Sequence, residues 1–305
     1  MPAWTRARSC HDARDNNREI PVTTMHSPVL EVAVRPRRRW PKPTLLIGLT
    51  LLLLLLVAAL FPQLLARFSP TDFDYEAILK GPSLKHPFGT DNFGRDVFSR
   101  VVYGTRIDLQ IAVFTTLFPF IFGTLLGALT GFLGRWSDAI VGRIADLVVV
   151  FPFLVLVIAI VAVLGPGLTN LYIAVSAVGW VSYWRLTRGE VLAQKGAEYA
   201  QAARVLGYSP SRVLLRHLLP NAVTPAIVYL MTDMSLGILL GASLGYLGLG
   251  AQPPTPEWGV MVADGKNFMA TAWWISTFPG LALTLAGVTF SLIGDGLADA
   301  LRPRA

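Results

Sequence analysis

From Thr44 to Phe61 the chain runs through leucine, isoleucine, valine and alanine without one charged residue. Wound as a helix at about 1.5 Å per residue, a stretch of that length just crosses the roughly 30 Å hydrocarbon core of a bilayer. Lipid offers no water to backbone N–H and C=O groups, so such a chain is confined to packed helices or a closed barrel. Unbroken apolar runs of this length, rather than alternation, select helices. Further runs extend from about Ile107 to Leu133, Ile140 to Leu164, Leu171 to Leu186, Val223 to Tyr246 and Trp274 to Ile293. The expectation is an all-α polytopic membrane protein with six transmembrane helices. Charged residues make up 15% of the chain, against about 25% in soluble proteins.

The net charge of +7 sits in an N-terminal arm and at the ends of the apolar runs. That is the charge pattern of membrane topology rather than a nucleic-acid footprint. Residues 1–43 read as a disordered, basic cytoplasmic arm whose run Arg35-Pro36-Arg37-Arg38-Arg39 suits anionic lipid. Residues 44–62 form the first transmembrane helix and residues 63–105 an extracytoplasmic segment. Residues 106–301 form the transmembrane core, with a cytoplasmic loop at 190–222, and residues 302–305 a cytoplasmic tail. Six crossings put both termini in the cytoplasm and Arg135, Arg143, Arg185, Arg188, Arg212 and Arg216 on the inner face. The outer segment strains that rule with Arg67, Lys80, Lys85, Arg95, Arg100 and Arg106, offset by its acids.

Several chemistries are excluded. One cysteine, Cys10, precludes an internal disulfide and any multi-cysteine metal site. No Gly-x-x-x-x-Gly-Lys-Ser/Thr loop exists to cradle a nucleotide, and no His-Glu-x-x-His or acid-rich calcium loop occurs. Gly241-Ala242-Ser243-Leu244-Gly245 fits the spelling of a hydrolase elbow, but it lies in an apolar helical run without a strand before it. Asp233 falls about ten residues into the fifth run, a depth at which a carboxylate costs on the order of 3 kcal/mol and usually faces a polar cavity. It is a candidate for the translocation path, the alternative being a residue hydrogen-bonded to Thr232, Ser235 or another helix. Asp146 is within helical reach of Arg143 and reads as its partner.

The polar loop carries the most specific signal. Glu198-Tyr199-Ala200-Gln201-Ala202-Ala203-Arg204-Val205-Leu206-Gly207 is a short helix-prone stretch, with Gly207 supplying the positive φ that ends a helix. Ala202 and Ala203 leave a shallow face for another protein. Ser209-Pro210 reads as N-cap and first position of a second helix, which Pro220 closes. A helix–glycine–helix–proline unit between membrane runs reads as a docking element for a cytoplasmic partner.

These residues resemble the "EAA" loop of ABC-importer permeases: Glu-Ala-Ala, three residues, Gly, nine residues, Ile, any residue, Leu-Pro. Gln201, Ala202, Ala203, Gly207, His217, Leu219 and Pro220 fall on it in register, with Gln for Glu and His for Ile. Both replacements resemble the peptide/nickel branch, where an acid three positions earlier, here Glu198, opens the motif. His86-Pro87-Phe88-Gly89-Thr90-Asp91 with Gly94-Arg95-Asp96, and Leu247-Gly248-Leu249-Gly250 with Pro253 to Gly259 and Gly294 to Leu297, resemble two further stretches of that branch.

The resemblance implies a type I ABC-importer permease fold with a cytoplasmic EAA coupling helix, in a bacterial inner membrane. It implies a non-catalytic subunit of an importer for di- or oligopeptides, with nickel chelates or other small solutes as alternatives. Partners would be a homologous second permease, two ATPase subunits holding ATP and Mg²⁺, and an extracytoplasmic substrate-binding protein. Glu198, Tyr199, Gln201, Ala202, Ala203, Gly207 and Pro220 would couple to the ATPase, and the chain itself would bind no cofactor and no metal. Gly123, Gly127 and Gly131, and again Gly237, Gly241 and Gly245, recur at four-residue spacing. Such stripes let helices pack closely, either within the chain or against the second permease. From another class, an autonomous secondary transporter would instead use Asp233 as a coupling acid. The outer segment Gly250 to Trp274, with three prolines near its start, reads as a re-entrant or surface cap whose tryptophans sit at the membrane interface.

Overall fold

The computed structural model describes residues 43–301. The expected basic arm, apart from Pro43, and the tail 302–305 lie outside the described residues. Among those described the chain is helical with no β-strand, and the one isolated bridge pairs Thr90 with Asp96.

Helix α1 (Pro43–Leu60) is the leucine run, and Pro62, which has no N–H to donate, follows its end. A looping segment leads to α2 (Val97–Leu133), whose first turn is capped by Asp96 accepting from Ser99 N–H at 2.8 Å. The span expected from Ile107 thus begins at Val97, because this cap sets the first turn. With 37 residues, α2 is about 55 Å long and overshoots the roughly 30 Å hydrocarbon core. Gly134 ends it at φ +66°.

The single crossing expected from Ile140 to Leu164 is two helices, α3 (Arg135–Val149) and α4 (Phe153–Leu164), bent by 86°. Pro152 at the break removes an intrahelical donor, a recognised cause of sharp kinks. Helix α5 (Leu168–Gln194) continues well past Leu186. After α6 (Glu198–Val205), one helical run passes through Pro210–Arg212, a wide π turn over Val213–Leu218, and Leu219–Ala222. It leads into α7 (Thr224–Tyr246). Pro220 therefore does not close a helix. It sits in the first turn after the π segment, where the altered register spares it the usual clash.

Last come α8 (Trp258–Gly265) and α9 (Trp274–Leu301). Among the described residues, four helices (α1, α2, α7 and α9) are long and apolar enough to cross a membrane, and the bent α3–α4 pair makes a fifth if it is one span. Helix α5 has the length but is diluted by Asn170, Ser176, Trp180, Ser182, Tyr183 and Arg185.

Helices α2 and α5 form the most extensive pair. Gly123, Gly127 and Gly131 line the seam: a Cβ on Gly127 would stand 2.6 Å from the Trp184 carbonyl oxygen, and one on Gly131 3.1 Å from that of Arg188. Backbones this close exclude any side chain, and Trp184 Nε1 then donates to Thr130 Oγ1 at 2.9 Å across the seam. On α7, a Cβ at Gly237 or Gly241 would instead meet α2 side chains, Thr115 Oγ1 at 2.7 Å and Ile111 Cγ2 at 2.5 Å, while Gly245 abuts Glu257. Both stripes are therefore occupied within the chain. Asp146 pairs not with Arg143 but with Arg185 of α5, at 3.3 Å between exposed side chains.

Candidate coupling and pathway sites

Helix α6 ends in a hydrogen-bonded reversal. Gly207, at φ +78°, sends its N–H to Arg204 O at 2.9 Å, and Tyr208 N–H reaches Ala203 O at 3.2 Å. This is the paired pattern that satisfies terminal carbonyls when glycine follows the cap. Pro210 then starts the next run behind Ser209. Tyr208 is held between the Arg212 guanidinium, 4.3 Å from its ring, and the His217 ring at 5.4 Å.

The helix has two faces. Ala200 and Ala203 turn inward and pack with Val213, Leu214, Leu218 and Ala222, and with Ala128 of α2 and Val191 of α5. Ala203 is only 5% exposed. The shallow outward face expected of Ala202 and Ala203 is thus Ala202 alone, because the 100° step between neighbours puts Ala203 against Ala128 of α2 and Val191 of α5. Glu198, Tyr199, Gln201 and Ala202 face outward. Gln201 Nε2 donates to Gly196 O and Tyr199 Oη to Gln194 Oε1, each at 2.8 Å, fixing the entry into the helix. Sequence reasoning missed Val205 and Leu206, which project apolar side chains at 88% and 71% exposure. Their signal was visible as two aliphatic residues beside the turn glycine of a polar loop. Pro220 lies behind this unit, in the helical run that joins α7.

The second site is a cavity of about 450 Å³ among α2, α4, α5 and α7, lined by Thr115, Thr116, Ser182, Tyr229, Asp233 and Ser243 among apolar neighbours. Asp233 is half-buried on its wall and accepts a hydrogen bond from Tyr183 Oη of α5 at 2.7 Å. Of the alternative partners expected, Ser235 is engaged elsewhere, its Oγ donating to Gly287 O at 2.9 Å, and the bond to another helix is the one that forms.

The segment between α1 and α2 is a folded unit. Asp91, 2% exposed, accepts from Phe93 N–H, Arg95 N–H and Arg95 Nε at 2.8, 3.0 and 2.6 Å, and lies 3.7 Å from Arg100 Nε. Arg95 also reaches Asp264 at 3.6 Å, and His86 Nδ1 meets Asp96 at 2.9 Å. Arg95 and Arg100, which strained the topology rule, are therefore internal, neutralised cations. Trp258 and Trp274 are internal too. Their indole N–H groups bond Val101 O at 2.9 Å and Thr90 O at 3.0 Å, so of the three tryptophans expected at the interface only Trp273 is well exposed.

Glu257, fully buried, caps α8 by accepting from Gly259 and Val260 N–H at 2.6 and 2.8 Å, with Asp108 beside it. Burial, opposed by those two backbone donors, pushes the Glu257 carboxyl above the ordinary glutamate range. The folded protein thus holds this proton to higher pH than the unfolded chain does. Its contribution to stability is complete below the unfolded value and is lost as pH rises through the folded one. Glu257→Gln removes this titration. Melting curves in mild detergent should show wild type losing stability relative to the variant as pH rises above the ordinary glutamate range.

Residues 123–305 match the family model described as "Binding-protein-dependent transport system inner membrane component". The chain is 42% identical over 259 residues to the dipeptide transport system permease protein DppC of Alkalihalophilus pseudofirmus, covering 85% of each chain. It is 40% identical over 257 residues to the glutathione transport system permease protein GsiD of Pectobacterium atrosepticum, covering 84% of this chain and 85% of that one. Against the probable D,D-dipeptide transport system permease protein DdpC of Escherichia coli the identity is 41% over 263 residues, covering 86% and 88%. With its apolar helices, its close-packed glycine seams and these matches, the chain belongs to the binding-protein-dependent transport system inner membrane components.

Proposed function

We propose that this chain is one permease subunit of an ATP-driven peptide importer, paired with a homologous second permease. The three relatives are named for dipeptides, glutathione and D,D-dipeptides, which supports a short-peptide cargo. Two ATPase subunits carry ATP and Mg²⁺, since this sequence has no phosphate-binding loop of its own. An extracytoplasmic binding protein delivers the substrate.

Six crossings result if α3–α4 is one broken span and α5 another, with both termini in the cytoplasm of a bacterial cell. Two contacts support this threading. The α4–α5 turn meets the end of α7, Gly167 N–H to Leu249 O at 3.2 Å, at the outer side. Lys195 Nζ donates to Phe132 O at the other, where α6 lies.

The observation that carries the coupling role is the packing of α6. Its inward alanines join Ala128 of α2 and Val191 of α5 in one buried cluster, while Val205 and Leu206 stand out from it. A push on the exposed tip is thereby delivered to the two most intimately packed helices, which rock between outward- and inward-open states. Glu198, Tyr199, Gln201 and Ala202 complete the docking face, and Gly207 and Pro220 shape its frame. Leu206→Asp places a charge in that interface without touching the cluster. Purification of the tagged complex in mild detergent should recover about tenfold less ATPase subunit with this variant. Undiminished recovery would put the docking face elsewhere.

A further inference from the structure

The cavity among α2, α4, α5 and α7 has a one-sided chemistry. Thr115 and Thr116 of α2 spend their hydroxyl protons on Ile111 O and Ala112 O, each at 2.7 Å, and Ser243 of α7 spends its own on Leu239 O at 2.7 Å. These hydroxyls turn only lone pairs toward the space. Tyr183 spends its proton on Asp233 Oδ2. Asp233 Oδ1 has no hydrogen-bond partner, and no ion pair includes Asp233, among the described residues. Ser182 and Tyr229 add two further hydroxyls, and among the described residues no lysine or arginine lines the chamber, so Asp233 is its one charged group. An ionisable group at this depth needs a countercharge or a function.

We infer that Asp233 is a subsite for the α-ammonium group of a peptide in transit. A primary ammonium carries three donors, which suits Oδ1 together with lone pairs on the chamber wall. A carboxylate or phosphate would meet the Asp233 charge with no lining cation to offset it and be repelled. This inference rests on the peptide-importer reading and deepens it, making the permease a second checkpoint for a free N-terminus.

The test is uptake into proteoliposomes holding the whole importer, with a labelled dipeptide and its N-acetylated analogue as probes. Each rate for Asp233→Asn is divided by the wild-type rate with the same probe, which cancels selection by the binding protein. Asparagine keeps an acceptor for Tyr183 and removes only the charge. The free-amine ratio should fall about tenfold more than the N-acetyl ratio, one charge-assisted hydrogen bond being involved. Asp233→Glu, which restores the charge, should recover most of that difference.

Equal loss with both probes, in Asp233→Asn and Asp233→Glu alike, would make Asp233 a structural residue and overturn the assignment. So would loss with neither. A wild-type importer that hydrolyses ATP with its binding protein yet carries neither peptide would refute the peptide reading itself, and the subsite with it.

Discussion

Replacing Gly207 with proline is expected to abolish ATP-driven uptake while the chain still inserts in the membrane. Gly207 sits at φ +78° and donates its N–H to Arg204 O. Proline is fixed near φ −65° and has no N–H, so the turn after α6 cannot form, at a local cost of about 3 kcal/mol or more. The turn lies outside the helices long and apolar enough to cross the membrane, which limits the damage to the proposed joint. Space is not the obstacle, because a Cβ at Gly207 would meet nothing within 4 Å. Gly207→Ala therefore isolates the cost of the positive φ, about 1 kcal/mol, and should retain measurable uptake. Reconstituted ATPase and uptake assays, run side by side, read the loss. Wild-type uptake per ATP hydrolysed in the proline variant would remove Gly207 from the coupling element.

Asp91→Ala is expected to cost the folded protein about 3–5 kcal/mol, the usual penalty for stranding a buried partner charge. Two guanidinium groups, Arg95 at 4% and Arg100 at 2% exposure, lean on this carboxylate. Once Asp91 is gone, Arg95 retains a 3.6 Å approach to Asp264 and the ring faces of Phe93 and Phe73 at 4.7 and 5.9 Å, and Arg100 keeps its bond to Pro70 O at 3.1 Å. Melting of the detergent-solubilised protein should therefore drop sharply. Asp91→Asn should fall less far, since its amide oxygen can still accept from the Phe93 and Arg95 N–H groups. A loss below about 1 kcal/mol for Asp91→Ala would mean that water, not protein, neutralises the arginines.

Much of this architecture is legible in the sequence because membrane helices announce themselves by length. The leucine run ending near Leu60 and the α7 run are found within a residue or so of their observed limits, and the final run at its start, although its helix continues past Ile293 to Leu301. The Gly207 turn is legible for a local reason, since few other residues tolerate its backbone. What the sequence hid depends on neighbours distant in the chain. Ala202 and Ala203 look alike as letters, and only the packing of α6 on Ala128 and Val191 separates the outward from the inward one. Arg95 and Arg100 read as misplaced topology charges until Asp91 and Asp264 are seen around them. Pro152 was a visible break within an apolar run, yet hydropathy averages over it and predicts one straight span. Pro220 shows the opposite error: a residue that normally ends helices is accommodated by the π turn before it.

The most direct measurement is uptake of a labelled dipeptide by proteoliposomes containing this chain, with and without its ATPase partners and with ATP or a non-hydrolysable analogue inside. The account predicts accumulation only when the ATPases and hydrolysable ATP are both present, lost in Gly207→Pro. Accumulation by the chain without ATPases, driven by an ion gradient, would contradict it and make the α6 unit something other than a coupling joint.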